Sequence, residues 1–197
     1  MSGFYLTGNV TADELLARDP NAVLLGMVLD QQVTMEKAFT GPAVIAERMG
    51  GQLDVAAIAA ADPEEFAAMC AKPPAVHRFP GSMAGRVQGV CQVLVRDWDG
   101  EASKLYASAK TGQELKALIA SLPGFGEQKA SIFVALLGKR FGVTPPGWDT
   151  AAGGYGRAGT YVSVADIVDV ESLQLVREAK RLAKANAKAK AAKAAKA

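Results

Sequence analysis

The stretch LPGFGEQKA, Leu122 to Ala130, constrains the fold more than any other. A helical pattern ends just before it, at about Ser121. A second apolar-periodic run (Ala130, Phe133, Val134, Leu137, Phe141) begins inside it. Pro123 removes an N–H and restricts the residue before it, which stops the first helix. Gly124 and Gly126 permit positive φ or the close approach of another backbone. The chain must therefore reverse between two helices within this stretch. Glycine at both positions also leaves the turn's amides uncovered. They lie at the N-terminus of the second helix, where free N–H groups and the helix dipole favour an anion. A nucleic-acid phosphate fits such a site in a positional, sequence-independent contact. The alternative is an ordinary αα-corner in which the glycines only permit packing.

The rest of the chain reads as helix after helix. Asp19-Pro20 is an N-cap followed by Pro at the first helical position, with Leu24, Leu25, Val28 and Leu29 at helical spacing behind it. Thr34 caps a helix running to about Gly50, and Asp62-Pro63 with Glu65 has the form of a capping box. Val87, Val90, Cys91, Leu94, Val95 and Trp98 form one stripe, which puts the Cys91 thiol in a core; Asp99-Gly100 ends it. Thr111 starts the helix that leads into the hairpin. Residues 142–161, GVTPPGWDTAAGGYGRAGTY, are rich in Gly and Pro and read as loop. Ser163 with Asp166 caps a final helical region that runs on into a Lys/Ala tail. The only strand candidates are FYLT and TYVSV, both weak, and there is no internal repeat. The fold class is all-α.

Composition narrows the function. With 197 residues, 50% of them apolar, the chain can bury one core or two small lobes sharing one. No run is apolar enough to span a bilayer, and MSGFYLTGN lacks the basic-then-apolar pattern of a secretory signal, so a cytoplasmic, nucleoid-associated location is expected. Two cysteines, Cys70 and Cys91, and a single histidine exclude a four-cysteine iron–sulfur site and a structural zinc site by ligand count. The net charge of +2 conceals an asymmetry. Seven basic side chains and no acid lie in residues 180–197, so residues 1–179 carry −5. A basic tail suits a polyanion; a solvated helix end accounts for it equally well. Residues 104–140, around the hairpin, carry six basic and two acidic side chains, a locally positive field.

LPGFGEQKA resembles the helix-hairpin-helix turn of the HhH-GPD superfamily of base-excision DNA glycosylases, which includes endonuclease III and the alkyladenine glycosylases. LLGMVLDQQVTMEKA (24–38) resembles the family's early helix with its Gln-containing turn, and FPGSMAGRVQGVCQVLVRDWDG (79–100) resembles its loop and long helix before the hairpin. The order and spacing of these blocks match over residues 20 to about 150. The resemblance implies a two-lobed helical unit over residues 1–180 with a DNA-facing cleft. A middle lobe would span about 34–140, and a second lobe would combine about 10–33 with 141–180. Residues 181–197 form the basic tail.

It also implies roles. The resemblance places the family's catalytic carboxylate downstream of the hairpin, and Asp149, in GWDTAA, is the only acid between Glu127 and Asp166. It stands 23 residues after Gly126, slightly farther than usual, and Ala151 replaces the residue that commonly follows Asp-Thr. A role in capping a surface loop is its other reading. Bifunctional members carry a Lys where this chain has Gln128. Lys129, one residue on, is rotated by about 100° and is expected to face phosphate. The expected enzyme is therefore a monofunctional glycosylase without lyase activity or a cofactor for its chemistry, although hairpin carbonyls can hold a structural monovalent cation. Gln32 aligns with the Gln that fills the space left by a flipped base, with Gln31 an equal candidate; helix capping is the alternative for both. Gly124, Phe125, Gly126, Lys129 and Arg86 are DNA-contact candidates, with Arg78 also able to meet phosphate. Trp148, Tyr155 and His77 are base-pocket candidates, as is Tyr161. The aromatics serve equally to pin the loop, and the histidine equally as a hydrogen-bonded structural residue. The expected partner is DNA, bound by a monomer with no membrane association. The alternative function is a non-catalytic helix-hairpin-helix DNA-binding protein; RNA binding finds no stacking sheet or other signature.

Overall fold

The computed structural model describes residues 4–194, and side chains as far as Lys188. The described residues form eleven α-helices and two short 3-10 turns, with no strand among them. Both strand candidates fail: Phe4–Thr7 is irregular, and Val164 in TYVSV enters a 3-10 turn.

The caps read from sequence are realised. Asp19 accepts the Asn21 amide at the start of α2 (Pro20–Leu29) and Thr34 that of Lys37 at the start of α3 (Met35–Arg48). Asp62 accepts those of Glu64 and Glu65 at the start of α5 (Pro63–Ala71), but no bond from the Asp62 amide to the Glu65 side chain completes the expected capping box. Thr111 accepts the Glu114 amide at the start of α8 (Gly112–Ala120). α6 (Pro80–Trp98) buries Val87, Val90, Cys91 and Leu94 of the expected stripe, leaves Trp98 half-buried and Val95 41% exposed, and ends with Asp99 in the left-handed region. The shorter helices α1 (Val10–Arg18), α4 (Val55–Ala60) and α7 (Ala102–Ser108) complete the first part of the chain.

α2 organises the packing. Every residue from Ala22 to Leu29 is buried, as befits a helix apolar all round. Such a helix needs cover on every side, and α2 packs on α1, α3, α6 and α7. α4 and α5 pack on α6. A second centre is α9 (Glu127–Phe141), which meets α8, both 3-10 turns and a short helix, α10 (Trp148–Ala152).

Residues 142–161 are thus not all loop. α10 and the 3-10 turn Gly153–Gly156 lie within them. Pro145, Pro146 and Gly147 set the entry, and the Trp148 amide donates to the Pro145 carbonyl at 3.0 Å. Ser163 and Asp166 do form a capping box, but it closes the 3-10 turn Val164–Asp166 rather than the last helix. That helix, α11 (Val170–Ala194), starts afresh, with the Asp169 carboxylate accepting the Ser172 amide. No helix among the described residues is long and apolar enough to cross a membrane.

Candidate nucleic-acid interface and cleft

The hairpin between α8 and α9 takes the expected form. The Leu122 amide donates to Ile119 and that of Phe125 to Leu122, each at 3.1 Å. Gly124 has φ +83°, where a Cβ would be strained. The Phe125 ring tilts against Phe133, 5.8 Å between centroids, and roots the turn in the core. Gly126 is the N-cap of α9 and offers no side-chain cap. Among the described residues, the amides of Gly124, Gly126, Glu127, Gln128 and Lys129 donate to no protein acceptor. Gly126, Glu127 and Gln128 are exposed, so these donors face solvent at the positive end of a 15-residue helix.

The turn that follows α2 abuts this hairpin. The Gln31 side-chain amide donates to the Gly124 carbonyl at 3.3 Å, and its oxygen accepts from Arg86. Arg86 is half-buried and lies against Gly124. Gln32 adopts φ +53°, uncommon for a residue with a side chain, and is exposed. No side-chain hydrogen bond ties it to the described residues.

Two expected site residues turn out to support this turn from inside. His77 is 1% exposed. Its Nδ1 accepts the Phe79 amide at 3.0 Å, which leaves Nε2 protonated to donate to the Gln31 carbonyl at 2.7 Å. With both nitrogens engaged it has no free edge for a base. Lys129 does not face outward. Its Nζ donates to the Val28 carbonyl at 3.0 Å, satisfying an orphan carbonyl at the C-terminus of α2, and sits 5.5 Å from the Phe125 ring centroid. Burial pushes its pKa down to about 8, with Asp30 opposing the shift and Arg86 adding to it. Burial also raises the Asp30 carboxyl, against the pull of Lys180 and Lys129.

The candidate carboxylate lies across α9. Asp149 occupies the first turn of α10, is exposed, and accepts the Thr150 amide at 2.8 Å. It borders a shallow depression with Thr150, Gly153, Gly154, Gly156 and Arg157. A Cβ on Gly156 would fall 2.5 Å from the Asp149 carbonyl, so the 3-10 turn folds back tightly on α10. This brings Tyr155 to the hairpin, where its hydroxyl accepts from Gln128 at 2.9 Å. Trp148 serves the packing. A Cβ on Gly138 would fall 2.2 Å from its ring, and one on Gly112 2.3 Å from its Cα. Its indole thus lies flush on α9. Tyr161 is 43% exposed and lines a separate groove with Lys139 and Asp166, whose buried ion pair at 2.6 Å holds the following loop to α9.

The sequence model of the HhH-GPD superfamily of base excision DNA repair proteins matches residues 25–197. The chain belongs to the HhH-GPD superfamily. No curated protein and no solved structure matches it. The family places the protein in base excision DNA repair, with DNA as its partner, and its members are generally DNA glycosylases. What sequence reasoning missed in this HhH-GPD chain is the inner support of the Gln31–Gln32 turn. No local signal carries it, since the Lys129 contact spans 101 positions and the His77 contact 46.

Proposed function

We propose that the protein is a monofunctional DNA glycosylase that extrudes a damaged or mismatched base and hydrolyses its N-glycosidic bond. The observation that carries this reading is the Gln31–Gly124 hydrogen bond. It joins the free hairpin amides and the exposed Gln32 into one surface. The amides of Gly124, Gly126 and Glu127 hold a backbone phosphate, and Gln32 enters the space the nucleotide leaves. As the C1′–N bond breaks, its electron pair leaves with the base and positive charge builds on the sugar. The Asp149 carboxylate stabilises that charge and takes a proton from the water that bonds to C1′. Gln128 stands at the family's lysine position and cannot form a Schiff base; of the two amines nearby, Lys129 is turned inward and Lys116 is paired with Glu127. The two-lobe division, action as a monomer and a cytoplasmic location belong to this proposal. So does a structural monovalent cation: the carbonyls of Leu122 and Gly124 each accept one N–H and keep a second lone pair for an ion.

The test is a panel of duplexes bearing uracil, hypoxanthine, alkylated purines or oxidised guanine. Base release from one of them, reduced at least about 100-fold in Asp149→Asn with DNA binding retained, is the expected result. One observation favours a non-catalytic DNA-binding protein: among the described residues, the Asp149 carboxylate bonds only to its neighbour's amide. Binding without release of any base would establish that reading.

A further inference from the structure

α11 leaves the body beside the Gln31–Gln32 turn. Its first turns are seated through Leu173 and Val176, which are buried. Arg177 then pairs with Glu36, in the first turn of α3, and Lys180 lies close enough to favour the charged form of Asp30, at the end of α2. Beyond this point every described side chain from Arg181 to Lys188 is exposed. At the α-helical angle of 100° per residue, Arg177, Lys180, Arg181, Lys184 and Lys188 fall within an arc of about 100°. Arg177 is paired with Glu36, and Lys180 is attracted by Asp30 without an ion-pair contact. Arg181 has only a loose, solvent-exposed contact with Glu178 at 3.6 Å, and no acid follows Glu178 in the chain. Lys184 and Lys188 have no acidic partner among the described residues.

We infer that the outer half of α11 is a second DNA-binding element, gripping duplex phosphates on the flank next to the turn that bears Gln32. The stripe begins at Asp30 and Glu36, the two acids that flank that turn in the chain, and continues along α11 with exposed side chains. It is thus continuous with the surface already proposed for DNA, and its charge matches a phosphate backbone and not the acidic body. From Arg177 to Lys188 the helix rises about 16 Å, the length of about five base pairs at 3.4 Å each. The inference rests on the proposed hairpin interface.

The experiment uses the full chain and duplexes with one tetrahydrofuran abasic site and flanks of unequal length. Affinity is measured against salt for the wild type and for Arg181→Gln/Lys184→Gln/Lys188→Gln. Loss of up to three phosphate contacts should make the log–log salt slope shallower by about 2 to 3. Trimming one flank by about five base pairs should reproduce the loss in the wild type and change nothing further in the variant, while trimming the other should affect both proteins equally. Lys184→Glu/Lys188→Glu, which changes only residues beyond all body contacts, should weaken binding further with unchanged thermal unfolding. An unaltered slope overturns the inference and leaves the hairpin reading intact. Equal sensitivity to both flanks overturns the placement beside Gln32. Failure of the wild type to bind at low salt overturns the hairpin reading and the inference together.

Discussion

The Gln128 side-chain amide donates to the Tyr155 hydroxyl at 2.9 Å, joining the first turn of α9 to the segment that carries Asp149. Neither group is buried, so the bond is worth about 1 kcal/mol or less to stability. Its effect on function should be larger, because it sets how α10 stands relative to the hairpin. Tyr155→Phe should shift the denaturant midpoint only slightly, yet lower base release by about tenfold with little change in DNA binding. Equal losses in binding and release would show that the bond does not position the carboxylate.

Gly138 is the seat of the Trp148 ring. Alanine is favoured over glycine in a helix by about 1 kcal/mol, but a Cβ 2.2 Å from the indole must displace it. Overpacking of this kind costs about 1–3 kcal/mol, and the clash should win. Gly138→Ala should therefore lower thermal stability and reduce base release by moving α10. A gain in melting temperature would mean that the indole is not held there.

Lys129 predicts a pH dependence. Its folded pKa, about 8, lies below the ordinary value of 10.5 because burial disfavours the charge. Below about pH 8 both states hold the proton and the folded state bears the cost of the buried charge. Between about 8 and 10.5 the folded chain has released a proton that the unfolded chain still binds, so this group's contribution to stability rises with pH. Relative to Lys129→Met, the wild type should gain about 2 kcal/mol across that window, after allowing for partial solvent contact. Denaturant unfolding at a series of pH values reads the difference, and a constant gap would contradict it.

The thiols should be inert. Burial pushes Cys70 up to about 11 and Cys91 up to about 12, and both side chains are enclosed by core residues. Ellman's reagent should find no rapidly reacting thiol in the folded protein at pH 8, and two after denaturation. A fast phase in the native protein would place one of them at the surface.

The sequence made legible what is local. Asp19, Thr34, Asp62 and Thr111 could be read as caps because a cap and the helix behind it lie within a few residues. The hairpin was legible because Pro123 and two glycines leave the backbone few choices. α10 was not, because Gly and Pro on both sides masked five helical residues. α4, VAAIAA, is too short to show a period. The direction of Lys129 was also beyond local reading. Its helical rotation was foreseeable, but the carbonyl that receives it belongs to α2. Trp148 and His77 were open to both packing and function until their surroundings were known; each proves to be occupied by its own protein.

The Gln31–Gln32 turn is held from three other parts of the chain: His77, Arg86 on α6, and the hairpin through Gly124 and Lys129. Such a turn cannot swing independently of the hairpin. If both meet DNA as proposed, the protein approaches as a fixed jig, and the adjustment falls to the duplex, which must kink to fit. Bases whose stacking is already weakened would yield most readily. Part of the discrimination between sound and faulty pairs would then reside in the stiffness of the DNA, before any pocket has inspected a base.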